Sequence, residues 1–408
     1  MRHHNNSRSS GRPRPYLALA CLSVLALPSA LAAAPGVTED SIIFGQTACF
    51  SGPSSQLGIR INAGIQAAFW AQNRNGGVDG RRLELIAEDD GYEPEAAAKN
   101  AAAFAEQDNV LAVIGGVGTP TARRSAPILR DAKIPFVGLF TGADFLQDSQ
   151  KFPNVVNLRT SYLREVEALV EHMINEMGKK RFGVIYQDDA FGRSVLANYV
   201  VVLNSYDLPV LAKSAYSRNT HAVHSSLFTL DKADLDAVLL VGSYTANADV
   251  INLAFLLGRE YVMANLSFVA PYDLLALVSD KSPESLANIL VSQVVPDVNE
   301  TSLALVRNFR RDIINFDSSS SSLKDARGPE GVDLIDAVSL EGYIIGRFVI
   351  DVVDRLDGDL ERDRLLEVAL QAEPVQIDDW TIQVAPGTNS GSSYVRLIDW
   401  TEEGGHDH

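Results

Sequence analysis

Ile42-Ile43-Phe44, Leu83-Glu84-Leu85-Ile86-Ala87 and Val110-Leu111-Ala112-Val113-Ile114 are three short apolar runs between Ile42 and Val137. Each is followed by a loop rich in small or polar residues and then by a helical pattern. Ile61, Ile65, Ala68 and Phe69, for example, share one face of a 3.6-residue period. Strands alternating with helices of this length predict βαβ units, hence an α/β fold on a parallel sheet. The loops at the strand ends carry Gly, Ser and Thr, a composition that suits reversible binding better than catalysis.

The rhythm restarts after Pro153. Val155–Leu158 reads as a strand, Leu163–Met177 as a helix, and Phe182–Tyr186 and Ala237–Val241 as strands. Leu266–Ala270 and Ile289–Val295 close this second half. The two halves read as two copies of one topology. Asp317–Val332, with serines from Ser318 to Ser322, reads as a polar surface loop. Helices over Leu334 to about Leu356 and Glu361–Ala372 follow, then strand-like runs at Trp380–Val384 and Tyr394–Trp400. Residues 401–408 read as a frayed tail.

Upstream, residues 1–32 hold Arg2, Arg8, Arg12 and Arg14 without an acid, then an apolar run from Tyr16 to Leu27 and the small-residue site Ala30-Leu31-Ala32. That is the layout of a cleavable secretory signal, too short to cross ~30 Å of hydrocarbon. A lipoprotein site at Cys21 fits less well, because Ala18 stands where a bulky residue is preferred and the apolar run continues past the cysteine. With Cys21 removed, Cys49 is the remaining thiol, so no intramolecular disulfide forms. Cys49 reads as a small buried residue. A chain of 408 residues, 46% hydrophobic, is long enough for two domains with real cores. Its net charge of −17 makes nucleic acid or anionic lipid a poor partner.

The usual catalytic signatures are absent: no Gly-x-Ser-x-Gly, His-Glu-x-x-His, Cys-x-x-Cys or P-loop stands in the chain. Gly116-Val117-Gly118 lacks the third glycine of a dinucleotide fingerprint. His221 and His224 lack a third ligand and read as a solvated helix start. Asp89-Asp90 reads as a cap before the helix from Glu93, in preference to an acid/base pair. His406 and His408 read as tail. No cofactor, metal or catalytic residue is expected.

In open α/β sheets ligands bind beyond the carboxyl ends of the strands. The turns there are Ser51-Gly52-Pro53-Ser54-Ser55, Gly116-Val117-Gly118-Thr119-Pro120-Thr121 and Gly242-Ser243-Tyr244. Glycine admits a close approach, hydroxyls donate or accept, and free N–H groups at a helix start attract an anion. Pro120 fits a first helical turn. One such loop is explained by helix capping alone; several, in two halves, point to a bound carboxylate.

From Ile43 to Ala143 the chain closely resembles the periplasmic leucine/isoleucine/valine-binding family, the type I substrate-binding proteins of ABC transporters. The residues that carry the resemblance are Phe50-Ser51-Gly52-Pro53, Asn75-Gly76-Gly77-Val78-Asp79-Gly80-Arg81, Glu88-Asp89-Asp90, Val113-Ile114-Gly115 and Ile134-Pro135. Tyr186-Gln187-Asp188-Asp189-Ala190-Phe191-Gly192 and Ser339-Leu340-Glu341-Gly342-Tyr343 extend it. The resemblance implies a type I periplasmic binding fold, two Rossmann-like lobes with parallel central sheets joined by a three-strand hinge. Lobe I would combine 35–158 with 297–375, and lobe II 159–296 with 376–400. It implies a non-enzymatic periplasmic protein, monomeric, that captures an amino acid or related carboxylate between the lobes. The ligand would pass to the membrane permease of an ABC transporter, or be reported to a membrane receptor in a sensory system.

Carried over by position, Ser51 and Ser54 form the first ligand loop, and Gly118, Thr119 and Thr121 hold the carboxylate. Thr141 ends the next strand. Tyr162, Tyr186, Asp188, Phe191, Ser243 and Tyr244 face them from lobe II. The family's acid for an α-amino group falls near Pro271-Tyr272-Asp273, with Tyr272 in the best register and Asp273 one residue off. If Tyr272 faces the ligand, an aromatic or aliphatic acid or an amide replaces an amino acid.

Overall fold

Two stacks of parallel strands, each interleaved with helices, account for most of the chain. The computed structural model describes residues 34–281, 283–319, 334–371, 373–384 and 387–399, together with 1–3 and Gly11. The leader with Cys21, the polar stretch 320–332, Trp400 and the tail with His406 and His408 lie outside those residues.

The first stack is built from β1 (Ser41–Ala48), α1 (Ser55–Arg74), β2 (Arg82–Asp89), α2 (Pro94–Gln107), β3 (Ala112–Ile114), α3 (Thr119–Asp131), β4 (Phe136–Val137) and β5 (Val155–Val156). Its five strands run parallel in the order β2-β1-β3-β4-β5. β1 and β3 are covered on both faces, which is why they read as unbroken apolar runs.

The second stack follows: α4 (Tyr162–Asn175), β6 (Phe182–Gln187), α5 (Ala190–Ser205), β7 (Val210–Tyr216), α6 (His224–Leu230), β8 (Ala237–Val241), α7 (Tyr244–Leu256), β9 (Val262–Asn265), α8 (Pro271–Ser279) and β10 (Ile289–Gln293). Its parallel strands lie in the order β7-β6-β8-β9-β10, the order of the first sheet again. The expected duplication of topology is therefore present. In each sheet the order reverses between its first and third strands, β1/β3 and β6/β8, where a crevice opens at the carboxyl ends.

The chain then returns. α9 (Ala304–Ser319) and α10 (Ala337–Asp354) pack on α1, α11 (Arg362–Ala369) follows, and the hairpin β11 (Val375–Ile377) with β12 (Trp380–Ile382) packs on α10. β13 (Arg396–Asp399) adds antiparallel to β10 at the edge of the second sheet. The chain thus passes between the sheets three times, after β5, after β10 and after β12. The hairpin, grouped by sequence with the second half, rests on a helix of the first.

Two sequence expectations change. Leu266–Ala270 is not a strand: β9 ends at Asn265 and Ser267–Val269 is a short 3-10 turn, closed by Ala270 at φ +55°. Asp89 and Asp90 do not cap α2, whose flanking Glu93 makes no side-chain cap bond. Asp89 Oδ1 instead accepts from the Phe50, Ser51 and Gly91 amides at 2.8, 3.3 and 2.9 Å, tying the first loop to β2. Asp90 accepts from the Tyr92 amide and the Thr47 hydroxyl, both at 2.9 Å. No described helix is long and apolar enough to cross a membrane.

Candidate functional site

Turns at the carboxyl ends of the two sheets touch one another, and several of those singled out by sequence lie among them. On the first sheet the chain leaves β3 through Gly118, at φ +99°, and enters α3. A Cβ on Gly118 would stand 2.3 Å from Cε2 of Tyr92, so the Tyr92 ring lies directly on the glycine backbone. Thr119 and Thr141 share a hydrogen bond of 2.7 Å between their hydroxyls, and both are buried. Tyr162, at the start of α4, puts its phenol beside them. Burial pushes that phenol up to about 12, against the pull of Arg159 and of the two threonines. Thr121 turns its hydroxyl back to the carbonyls of Val117 and Gly118. Ser54 is buried at the head of α1, while Ser51 is exposed.

On the second sheet, successive side chains of β6 point to opposite faces, and Gln187 is the one that reaches across, its Nε2 3.4 Å from the Tyr92 hydroxyl. Asp189 accepts from that same Nε2 at 2.6 Å and caps α5 through the Phe191 and Gly192 amides at 2.9 and 3.3 Å. The cap turns Phe191 inward, 5.2 Å from the Tyr162 ring centroid. Ser243 hydrogen-bonds Thr245 at 3.2 Å. Tyr244 accepts from the Gln56 amide at 3.4 Å, joining α7 to α1. Asp188 stays outside the crevice: it is exposed and paired with Arg193. Tyr186, its neighbour on β6, is partly buried.

Several residues of this region were not singled out by sequence. Phe268, in the 3-10 turn after β9, is 1% exposed and central. Its ring centroid lies 4.7 Å from Phe191, 5.4 Å from Phe140 and 6.0 Å from Tyr92. Behind Phe140, the buried Arg159 guanidinium stacks on its ring at 4.7 Å. Arg159 also meets Ser267 Oγ, Glu165 at 3.5 Å and Glu341 at 3.6 Å. Glu165 Oε2 accepts from the Ser267 amide at 2.9 Å and the Ser292 hydroxyl at 2.6 Å. A cavity of about 10 Å³, room for one water, lies among Phe140, Ser267, Gln293 and Glu341.

Arg60 was also missed. It sits on the buried face of α1 and pairs with Asp273 of α8 at 2.8 Å and with Asp336, which caps α10. Burial raises the Asp273 carboxyl to about 6; neighbouring Asp336 adds to the rise, and Arg60 opposes it. One oxygen of the acid expected near an ammonium group is thus bound to an arginine, while Tyr272 beside it is half-buried. Cys49 is buried and hydrogen-bonds the Ser54 carbonyl at 3.1 Å. His221 contacts Asp249 at 2.6 Å, next to the start of α6 at His224.

Two duplicated α/β halves with a buried polar and aromatic seam between their strand ends define a two-lobed ligand-binding protein. The family model described as periplasmic binding protein matches residues 41–391, and the chain belongs to that family. A Leu/Ile/Val-binding protein homolog 7 of Brucella suis is 29% identical over 230 residues, 54% of this chain and 56% of that one. The substrate-binding protein BasB of a chemotactic signal transduction system in Halobacterium salinarum is 28% identical over 231 residues, 54% of each chain. The chain spans about half the length of these curated relatives. The crystal structure of a possible leucine/isoleucine/valine-binding protein from Rhodopirellula baltica superposes with a TM-score of 0.78 at 29% identity, over 91% of this chain and 99% of that one. The parallel-sheet α/β fold is that of the type I periplasmic binding proteins. Membership implies an extracytoplasmic protein of a solute-binding class.

Proposed function

We propose that this protein is a non-enzymatic periplasmic receptor, exported through its leader, that closes on a small carboxylate-bearing ligand and delivers it to the permease of an ABC transporter. The observation that carries this reading is a set of contacts between turns of the two sheets: Gln187 reaches the Tyr92 ring that lies on Gly118 at the head of α3, Phe191 packs on Tyr162 beside Thr119 and Thr141, and Tyr244 joins Gln56 of α1. The threonine hydroxyls and the N-terminal end of α3 suit a carboxylate, and the rings suit an apolar remainder. A ligand touching both halves binds the closed form better than the open one and shifts the population toward it.

The engagement of Asp273 by Arg60 favours ligands without an ammonium group, such as short aliphatic or aromatic acids and amides. BasB, a relative named for chemotactic signalling, supports a second reading in which the same closure is reported to a membrane receptor. The test is thermal unfolding of mature protein, refolded to strip carried-over ligand, against amino acids, aliphatic acids, aromatic acids and amides. Saturation at 100 times Kd adds about 2.7 kcal/mol. A shift with acids or amino acids supports the reading, and no shift with any of them overturns it.

A further inference from the structure

We propose that Phe268 is the specificity-determining wall of the cleft, a ring fixed where the apolar part of a ligand would otherwise extend. The inference rests on the binding-protein reading and names the residue that limits ligand size. Phe268 belongs to the second half, yet two of the three rings around it, Tyr92 and Phe140, follow strands of the first. The third is Phe191, which packs on Tyr162 beside the Thr119–Thr141 hydroxyl pair. The ring is thus linked through Phe191 and Tyr162 to the hydroxyls suited to a carboxylate.

Its position is held rather than adventitious. The Ser267 amide is bound by Glu165 at 2.9 Å and lies 3.1 Å from Ser292 Oγ; Arg159 holds the Ser267 hydroxyl, and Phe140 is clamped from behind by Arg159. On the other side Ala270 takes φ +55°, a conformation that a non-glycine residue adopts only when its surroundings impose it. With its backbone held on both flanks and three rings packed around it, the Phe268 side chain has little room to swing away for a larger guest. Ligands of the natural protein must then be short beyond their carboxylate, and removing the ring should open a cavity that accepts one more.

The experiment compares wild type with F268A and F268L in the full mature chain, titrating benzoate and toluene calorimetrically. F268A is expected to bind benzoate at least tenfold more tightly than wild type does, and more tightly than it binds toluene, because the carboxylate meets Thr119 and Thr141. F268L, which keeps most of the bulk and secures the test if F268A does not fold, is expected to gain severalfold. No gain in benzoate affinity in the folded variants overturns the proposal, and so does an equal gain for toluene, which would mark a dry cavity remote from the hydroxyls. Wild type that responds to short acids while the variants gain nothing overturns this inference and leaves the binding-protein reading standing. Wild type silent across acids, amino acids and amides overturns the binding-protein reading and this inference with it, whatever F268A gains.

Discussion

Arg60 is 5% exposed and lies between Asp273 and Asp336, so that taking its charge away leaves two buried carboxylates without their counter-ion. Breaking a buried pair from one side costs about 3–5 kcal/mol, most of it from the charge left behind. R60L is therefore expected to lose that much in urea unfolding, whereas D273N, which leaves Arg60 its Asp336 partner, should lose less than half as much. Equal losses would mean that Asp336 does not share the charge. At Gly118 the argument is steric: a methyl group there meets the Tyr92 ring and must also accept φ +99°. G118A should cost about 1–3 kcal/mol from the backbone alone, readable in the same denaturation series. Thr119 and Tyr244 could be picked out beforehand because they lie in Gly/Ser/Thr turns between a strand and a helix, where turn chemistry is distinctive, whereas Thr141 and Phe191 were named only by the resemblance. Arg60 could not, since a single charge between Ile59 and Ile61 looks like any residue on a helix. Phe268 was hidden within Leu266–Ala270, five residues that read as a strand.

Helices α1 and α10 approach until their backbones touch. A Cβ on Gly64 would lie 2.0 Å from the Ser339 carbonyl oxygen, and one on Gly342 would lie 2.3 Å from that of Ile61. At Gly346 the nearest atom is the side-chain methyl of Ala68 at 2.7 Å. Backbone cannot retreat as a side chain can, and overpacking costs about 1–3 kcal/mol or more. G342A should thus lower the melting temperature clearly more than G346A; the opposite order would mean that the helices separate freely. The elements themselves were legible in proportion to their burial. β8 is buried along its whole length and was read at its true limits, Ala237–Val241. The edge strand β7 alternates exposed and half-buried positions, contains Lys213, and went unread. β4 has two residues, too few to carry a period. The grouping of the hairpin β11–β12 is likewise set by its packing on α10, which no local pattern encodes.

At the scale of the molecule, the duplicated strand order was legible because both copies write the same alternation, while the way the copies meet was not, because contacts between distant turns leave no periodic trace. One such region, around Arg159, carries a pH dependence. Burial raises the Glu341 carboxyl from its ordinary 4.5 to about 7, with Arg159 opposing the rise. The folded chain then keeps a proton that the unfolded chain has already released, so this group's contribution is most favourable below about 4.5, falls as pH rises to about 7 and is level above. Asp90 and Asp273 act in the same direction, and a difference between variants removes them. The stability of wild type relative to E341Q should fall by about 1–3 kcal/mol between pH 4.5 and 8, measured by thermal unfolding across that range; a constant difference would place the carboxyl at its ordinary value.

Closure is the other molecular property. Besides the aromatic cluster, the halves are joined at the rim, where Asn198 donates to Asp144 at 2.6 Å and Arg218 pairs with Glu93 at 2.6 Å. Arg218 also pairs with Asp189 at 3.4 Å, so the rim is opened from Asn198 and Glu93, which should leave the intrinsic affinity of the closed form unchanged while making that form rarer. Apparent Kd rises by the inverse of the closed fraction, whatever the ligand. The double variant N198A/E93A is therefore expected to weaken every ligand of wild type by one common factor, about three- to thirtyfold if each rim pair contributes between a few tenths and 1 kcal/mol. Its radius of gyration without ligand, from X-ray scattering, should increase, and saturating ligand should restore it. A factor that differs from ligand to ligand would mean that Asn198 or Glu93 reaches the ligand itself, and an unchanged radius would mean that the rim pairs do not hold the halves together.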